Sequence, residues 1–281
     1  MTETKAPPQI FDEPMLQTRR ARAARRSPSF LAERCADDAA DRLCDVNRQF
    51  EAALLIGPPE FADRLIKQLP PEKRPSSITR SENGLEPDEN TYDLIISVLR
   101  LHSVNDLPGA LILHRRALRP DGLFLGAMFG GETLTELRQS AYAADDAILG
   151  GITPRVAPFA DYSQAAALLQ RTGFALPVID TDRCIVHYRD IQRLADDLRD
   201  LGDMNALVGR SRSPLNKRYR QSLFGIYNER FSDDNKARAT FEILWMTGWS
   251  PHESQQKPLK PGSAKMRLAD ALGVKEVKTL Q

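Results

Sequence analysis

Short apolar runs alternate with amphipathic segments along most of the chain, and this pattern predicts its strands and helices. Strands are indicated where apolar residues follow one another with few interruptions, at 52–56, 92–98, 123–129, 178–182, 185–188 and 241–247. Helices are indicated where apolar residues recur at helical spacing, within 30–50 and at 60–69, 107–118, 132–149, 162–171, 190–201 and 214–231. Because strands and helices alternate, we expect an α/β fold with a mostly parallel sheet and helices on both faces.

The order of these segments predicts four parts. An N-terminal helical extension covers 1–50, of which 1–8 is expected to be disordered. An α/β core covers 51–188, a helical insertion covers 189–239, and the last strand with the C-terminal tail covers 240–281. The insertion separates the last two strand regions, which therefore indicate an antiparallel pair at one edge of the sheet.

The turn after the first strand lies where many α/β domains bind a nucleotide, but its sequence is unusual. It reads Gly57-Pro58-Pro59 and leads into a predicted helix. A nucleotide-binding turn ordinarily contains several glycines, because the backbone has to approach the ligand closely. Proline has no backbone N–H to donate. The turn therefore predicts a nucleotide site that has the expected position in the fold but lacks the usual glycines and backbone N–H donors.

The interval that follows this turn is short. Gly57 and Tyr92 are 35 positions apart, whereas one strand–helix–strand unit takes roughly 30 residues. Within the interval only 76–79 has the character of a strand. We therefore expect the second strand and the helix after it to be reduced or missing.

Composition and charge exclude several classes of function. Hydrophobic residues make up 41% of the 281 residues and the net charge is +1, values that are ordinary for a globular protein and do not favour nucleic-acid partners. No apolar stretch approaches the roughly 20 residues of a membrane-spanning helix, and no secretory signal is evident. The three cysteines and four histidines lack ligand spacing, so the sequence predicts reduced thiols, a cytoplasmic location and no metal site.

Five arginines between positions 19 and 26 allow more than one interpretation. They are consistent with the basic face of a helix, or with an arm that docks to an acidic partner or to a membrane surface. A mitochondrial transit segment is disfavoured because acidic residues precede the arginines, and such segments are poor in acids.

Several segments are far more specific than the fold pattern. They lie at 10–12, 101–108, 118–122, 126–134, 154–159, 180–182 and 248–255, and the most specific read Met-Phe-Gly-Gly-Glu-Thr-Leu at 128–134 and Trp-Ser-Pro-His-Glu-Ser at 249–254. In these segments the chain resembles the methyltransferase-like family of respiratory complex I (NADH:ubiquinone oxidoreductase) assembly factors, in its alphaproteobacterial form. More distantly, it is similar to the malonyl-carrier-protein methyltransferases of the biotin pathway.

The resemblance implies a fold, a cofactor and a partner. The fold is Rossmann-like, of the class I methyltransferase type, whose seventh strand runs antiparallel. The family cofactor is S-adenosylmethionine, and the implied role is the maturation of complex I by modifying or chaperoning one of its protein subunits. Some members of the family are linked to arginine hydroxylation instead of methylation.

The resemblance also implies where the cofactor site would lie. Such methyltransferases hold S-adenosylmethionine with the turn after strand one and with acidic residues after strands two and three. This chain keeps Gly57 at the turn, lacks room for the second element, and has Ser81-Glu82 where the family has Asp-Glu. We expect Gly57, Glu82 and Ser97 to be the remains of a degenerate site that binds the cofactor weakly or not at all.

Other candidates for the cleft follow from the rule that ligands bind at the carboxyl ends of parallel strands. His102 is either a general base or a hydrogen-bonding histidine that is partly buried. Phe129 ends a predicted strand. Gly130 and Gly131 either allow a sharp turn or let a ligand approach closely, and Glu132 either contacts a substrate or begins a helix favourably.

Four further candidates lie late in the chain. Asp180 and Asp182 either accept hydrogen bonds from a guanidinium group or shape a turn between strands. His252 and Glu253 follow a tryptophan in a polar loop, where they contact a substrate or form surface. The catalytic residues are not identified by the sequence.

Three hypotheses of function remain open at this stage. The first is a maturation factor for complex I on a methyltransferase fold with a degenerate cofactor site, located in the cytoplasm or peripheral to the inner membrane. The second is an active S-adenosylmethionine-dependent or arginine-modifying enzyme that acts on a protein. The third is a binding module that docks through its N-terminal arginines.

Overall fold

The computed structural model describes residues 8–82 and 88–256. The chain divides into two units, Met1–Pro251 and His252–Gln281. All the helices and strands named below belong to the first unit. Among the described residues, no helix is long and apolar enough to cross a bilayer.

Seven strands of the described residues form one mixed sheet. They are β1 (Ala52–Ile56), β2 (Ser77–Ser81), β3 (Tyr92–Val98), β4 (Leu118–Phe129), β5 (Ala175–Tyr188), β6 (Ser232–Asp233) and β7 (Lys236–Trp249). Their order is β2-β1-β3-β4-β7-β5, and β6 pairs with β7. The first four strands in this order are parallel, whereas β7 is antiparallel to both β4 and β5. This arrangement confirms the predicted parallel sheet with an antiparallel pair at one edge.

The helices of the described residues cover both faces of this sheet. They are α1 (Glu13–Ala23), α2 (Phe30–Asp45), α3 (Pro59–Gln68), α4 (Leu107–Ala117), α5 (Thr135–Leu149), α6 (Tyr162–Arg171), α7 (Ile191–Leu201) and α8 (Lys217–Phe231). Apolar residues of α4 and α6 belong to the core on one face, and those of α2, α3, α5, α7 and α8 belong to the core on the other. The helical insertion before the last strand consists of α7 and α8.

The central strands are mostly apolar because both of their faces are covered. Leu55 and Ile96 belong to one core, whereas their neighbours Leu54 and Ile95 belong to the other. Successive side chains of a strand point to opposite faces, so a strand between two layers of helices is apolar at most positions. The exceptions in β3 are Asp93, which accepts from the backbone N–H groups of Glu51 and Ala52, and Ser97. This is why the sequence identified β1 and β3 at their observed bounds.

The region of the second strand is reduced, as predicted, although a strand does lie beside β1. β2 pairs with β1 over five residues and is largely exposed at the edge of the described sheet. It is followed only by residues 82–91 before β3 begins. Of that connection, 83–87 lie outside the described residues. The second strand itself is therefore retained, which corrects the reading that it is missing. Ser81 and Glu82, which the resemblance placed after the third strand, lie at the end of β2 and directly after it.

Several element predictions were wrong in detail. β4 and β7 begin at Leu118 and Lys236, and not at 123 and 241. The segments 178–182 and 185–188 form one continuous strand, because Arg183 and Cys184 continue the ladder opposite Glu242 and Phe241. α5 begins at Thr135 and not at 132, because Leu134 adopts a left-handed backbone conformation with φ 56°. The four-part division of the chain remains a prediction. Residues 1–7 of the segment expected to be disordered, and 257–281 of the tail, lie outside the described residues.

Candidate functional site

The turn after β1 has no backbone donor left at its first three positions. The N–H of Gly57 donates to the carbonyl of Ser81, at 3.0 Å, as part of the sheet. Pro58 and Pro59 have no N–H. The space beside Gly57 is also filled, since a Cβ there would meet the Val98 carbonyl oxygen at 3.1 Å and Phe61 at 3.2 Å. The close approach at this glycine is therefore made by the protein itself.

An arginine side chain spans the crevice at the carboxyl end of β1. Arg100 follows β3, and its Nε donates to the Glu82 carbonyl just after β2, at 2.8 Å. One of its terminal nitrogens donates to the Leu99 carbonyl at 2.9 Å. Because β1 lies between β2 and β3 in the sheet, this guanidinium group crosses the end of β1. It occupies the part of an α/β sheet where ligands ordinarily bind.

The backbone directs Arg100 into this crevice. Leu99 is fully buried and has φ 50°, in the left-handed region that a bulky residue rarely adopts. Its N–H donates to Ala127 of the neighbouring strand at 2.8 Å, which holds the strained turn in place. Burial and the nearby Arg20 lower the pKa of Arg100 to about 10, so the group is still a cation at neutral pH.

A buried polar cluster continues from Arg100 along the carboxyl end of β3. Arg20 of α1 donates to the Ser103 hydroxyl at 2.6 Å and lies 3.9 Å from Asp203. Asp203 is 3.0 Å from Nε2 of His102, and both side chains are at least nine-tenths buried. We name Arg20, Arg100, His102, Ser103 and Asp203 the crevice cluster.

Asp203 is the acidic member of this cluster. Burial by itself raises the pKa of a carboxyl group, but here His102, Arg20 and Arg100 outweigh burial and hold the pKa of Asp203 below its ordinary value. Within the described residues, Nδ1 of His102, Nε of Arg20 and Oγ of Ser97 have no hydrogen-bond partner. Ser97, a predicted cofactor residue, is thus buried near the end of β3, and its hydroxyl has no hydrogen-bond partner in the part of the chain that the structure describes.

The N-terminal arginines are used mainly inside the protein. Arg20 enters the crevice cluster, Arg19 donates to the Met204 carbonyl at 2.6 Å, and Arg26 pairs with Asp200 at 2.5 Å. These bonds join α1 and the residues after it to the end of α7. Arg22 and Arg25 remain exposed. The N-terminal arginines therefore mainly hold α1 and the residues after it against the end of α7.

His102 and Phe129, two residues that the sequence predicted for the cleft, are neighbours in the structure. The two rings are 4.6 Å apart between centroids, and Phe159 approaches both at 5.8 Å. His102, Phe129 and Asp203 line a cavity of about 120 Å³, which is large enough for a few water molecules. The histidine thus forms a buried pair with an aspartate beside aromatic rings, and its role in chemistry remains a prediction.

Gly130 and Gly131 differ sharply in their surroundings. A Cβ at Gly130 would lie 2.3 Å from Oε2 of Glu242 and 2.9 Å from Leu244, whereas at Gly131 the nearest atom is 3.9 Å away. Glu132 follows in the same turn, where its N–H donates to Glu242 at 3.1 Å and its carboxylate lies 3.4 Å from Arg183. The space beside Gly130 is thus filled by side chains of β7, and close approach of a ligand at this turn stays a prediction.

We predict that Gly130→Ala destabilises the protein by about 1–3 kcal/mol, because Glu242 and Leu244 must move to admit the methyl group. Gly131→Ala is the matched control and is expected to cost less than about 1 kcal/mol. Urea denaturation of the two variants measures the difference. Equal stabilities would show that the Gly130 site is not packed as described.

Asp180 and Asp182 bind guanidinium groups, but these belong to the protein itself. Arg34 of α2 makes two parallel bonds to Asp182, at 2.8 and 2.9 Å, and Arg42 of α2 contacts Asp180 at 2.5 Å. The hydrogen bond from Arg42 is the main reason that the pKa of Asp180 is lowered. Their predicted contact with a substrate remains untested, and their observed contacts fix α2 against β5.

His252 and Glu253 belong to the second unit of the chain. Nδ1 of His252 lies 2.7 Å from the Ser254 hydroxyl, and the backbone N–H of His252 donates to the Gln255 side chain at 3.2 Å. Both residues are exposed. Their proposed part in the cleft stays a prediction.

The sequence did not identify Arg100, Arg20 and Asp203 as site residues. One signal was available for Arg100, because it interrupts an apolar run directly after a buried strand, between Leu99 and Leu101. A charged residue at that place must be either in a site or paired. No comparable local signal existed for Arg20 and Asp203, which are far apart in sequence.

The sheet order, the antiparallel β7 between β4 and β5, and the crevice at the carboxyl ends of the parallel strands define a Rossmann-like class I methyltransferase fold. A relative from Danio rerio, named arginine-hydroxylase NDUFAF5, mitochondrial, is 36% identical over 262 residues, which cover 86% of this chain and 81% of the relative. The chain belongs to the NDUFAF5 family, the methyltransferase-like family that its segments resemble.

Two other similarities are more distant. A malonyl-[acyl-carrier protein] O-methyltransferase of Laribacter hongkongensis is 30% identical over 190 residues, covering 68% of this chain and 62% of that protein. A Haemonchus contortus phosphoethanolamine N-methyltransferase 2, solved in complex with S-adenosyl-L-methionine, is 13% identical with a TM-score of 0.42, over 77% of this chain and 52% of the other. No family model matches the chain.

Proposed function

We propose that this protein is a maturation and assembly factor for respiratory complex I whose methyltransferase fold no longer binds S-adenosylmethionine productively. The observation that carries the proposal is the state of the crevice at the end of β1. Its turn offers no N–H from Gly57, Pro58 or Pro59, and the Arg100 guanidinium group lies across it. Membership of the NDUFAF5 family supports the assembly role.

The charge of the crevice supports the same conclusion. S-adenosylmethionine carries a sulfonium cation, and the crevice cluster already contains the guanidinium groups of Arg20 and Arg100 with a single carboxylate, Asp203. Like charges that are close together in a buried site repel one another strongly. A further cation would therefore be disfavoured unless Arg100 left the crevice.

The part of the fold that remains available is the outer surface of the helices, where a protein partner would bind. We propose a subunit of complex I as that partner, and a cytoplasmic location at or near the inner membrane. Because Arg19, Arg20 and Arg26 are engaged within the protein, the docking arm of the third hypothesis would depend on Arg22 and Arg25 alone.

Deleting the gene in its host and restoring it tests the assembly role. We expect the deletion strain to lose most of its assembled complex I, as measured by native gel electrophoresis and NADH oxidation in membranes. The wild-type gene is expected to restore both. Normal complex I in the deletion strain would contradict the proposal.

A second function, modification of a protein substrate, is supported by one observation. The His102–Asp203 pair is buried, and Nδ1 of His102 has no partner among the described residues. A carboxylate that orients an imidazole is a common arrangement for general base catalysis. The relatives are named arginine-hydroxylases. Under this alternative, a complex I subunit differs in mass between the wild-type and deletion strains, and identical masses would remove its support.

A further inference from the structure

A second and larger cavity lies among α1, α5, α7 and α8. Its volume is about 680 Å³, which is in the range of sites for small molecules. Gly57, Glu82 and Ser97 do not line it, so it is distinct from the crevice at the end of β1. Its apolar lining comes from three helices and consists mainly of Leu137, Ala141, Leu194, Leu198, Leu223 and Phe224.

The polar lining of this cavity is dominated by arginine. Asp12 is the one acidic residue among the lining residues, whereas the arginines are Arg19, Arg155, Arg199, Arg210, Arg212 and Arg220. Three of them have carboxylate partners: Arg155 pairs with Asp145, Arg199 with Asp196, and Arg210 with Asp12.

The other three arginines have no carboxylate partner among the described residues, and Arg19 donates to the Met204 carbonyl. The side chains of Arg212 and Arg220 are both exposed and make no hydrogen bond or ion pair with another described residue. Arg19 is half-buried, and burial followed by repulsion from Arg210 lowers its pKa. The edge of the cavity therefore has an excess of positive charge beside a large apolar surface.

We propose that this cavity binds a single-chain anionic amphiphile, which is an apolar chain that ends in a carboxylate or a phosphate. The apolar chain would cover Leu137, Leu194 and Leu223, and the head group would accept hydrogen bonds from Arg212 and Arg220. Guanidinium groups match carboxylate and phosphate oxygens in geometry as well as in charge. An inorganic anion leaves the leucines exposed, and a neutral chain leaves the arginines without a counter-charge.

Isothermal titration of the full chain with four ligands tests the proposal. The two ionic amphiphiles are kept below their micelle concentrations, and dodecanol is kept below its solubility limit. Dodecanoate and dodecyl phosphate represent the two head groups, dodecanol lacks the charge, and inorganic phosphate lacks the chain. We expect the first two to bind at least about tenfold more tightly than the others, as one charge-assisted bond would give. Equal binding of dodecanol, or binding of phosphate alone, would overturn the proposal.

Three variants locate the site. The double variant Arg212→Gln/Arg220→Gln is expected to weaken dodecanoate binding by about tenfold or more, and Arg25→Gln, an exposed arginine outside the cavity, is expected to leave it unchanged. Ala195→Trp places a large ring in the cavity from a half-buried position of α7 and is expected to abolish binding. If all three variants bind as the wild type does, the ligand lies elsewhere and the proposal fails.

Discussion

Replacing Asp203 with alanine is expected to destabilise the protein by about 3–5 kcal/mol, the cost of leaving buried charges without their partner. The Asp203 carboxylate is the counter-charge of Arg20 and Arg100 and the hydrogen-bond partner of His102. Urea denaturation at neutral pH measures the loss. The control is Asp63→Ala, whose ion pair with Arg80 is exposed and is expected to contribute less than about 1 kcal/mol.

The dependence of this effect on pH follows from the lowered pKa of Asp203. A carboxyl group whose pKa is lower in the folded state contributes stability above its ordinary pKa of 3.8, and this contribution is lost as the pH falls through the folded value. The difference in unfolding free energy between wild type and Asp203→Asn should therefore be largest above pH 4 and narrow in stronger acid. A difference that does not change with pH would contradict the assigned charge.

Replacing Glu136 with alanine is expected to cost about 2–4 kcal/mol, because two buried donors lose a charged acceptor. Its carboxylate accepts from the backbone N–H of Thr240 at 3.0 Å and from the Thr240 hydroxyl at 2.6 Å. Arg238 lies 3.5 Å away. These contacts fix the first turn of α5 to β7, next to the turn that contains Gly130.

Thermal and urea denaturation of this variant can be compared with two controls. Glu136→Gln keeps one carbonyl oxygen as an acceptor and should lose less stability than the alanine variant. Glu229→Ala, at an exposed position of α8, should change the unfolding free energy by less than about 0.5 kcal/mol. Equal losses for Glu136→Ala and Glu229→Ala would show that the carboxylate does not hold α5 to β7.

The sequence predicted the layers of the fold well because each layer leaves a local pattern. β1 is apolar at every position and β3 at most positions, since both faces of these strands are covered. α6 has a capping box at Asp161 and Gln164, and its predicted bounds are those observed. By contrast, the late start of α5 depends on the bonds of Thr133 to Glu242 on β7, which no local pattern encodes.

The site was less predictable because its partners are distant in sequence. Arg20 meets Ser103 across 83 positions, and Glu136 meets Thr240 across 104. The unusual turn at Gly57 could be identified from its prolines alone, but the sequence did not show that the Arg100 side chain crosses it. The sequence therefore predicted a degenerate cofactor site, and the structure adds that the Arg100 guanidinium group lies across the end of β1, where we propose that cofactor binding is lost.

The most direct test of this account is isothermal titration of the purified chain with S-adenosylmethionine at neutral pH. Losing two hydrogen bonds to charged groups costs about 3–6 kcal/mol, or about two to four decades of affinity, so a micromolar site would weaken to roughly 0.1–10 mM. We predict no saturable binding below about 0.1 mM cofactor. Saturable binding with a low-micromolar Kd would contradict the account.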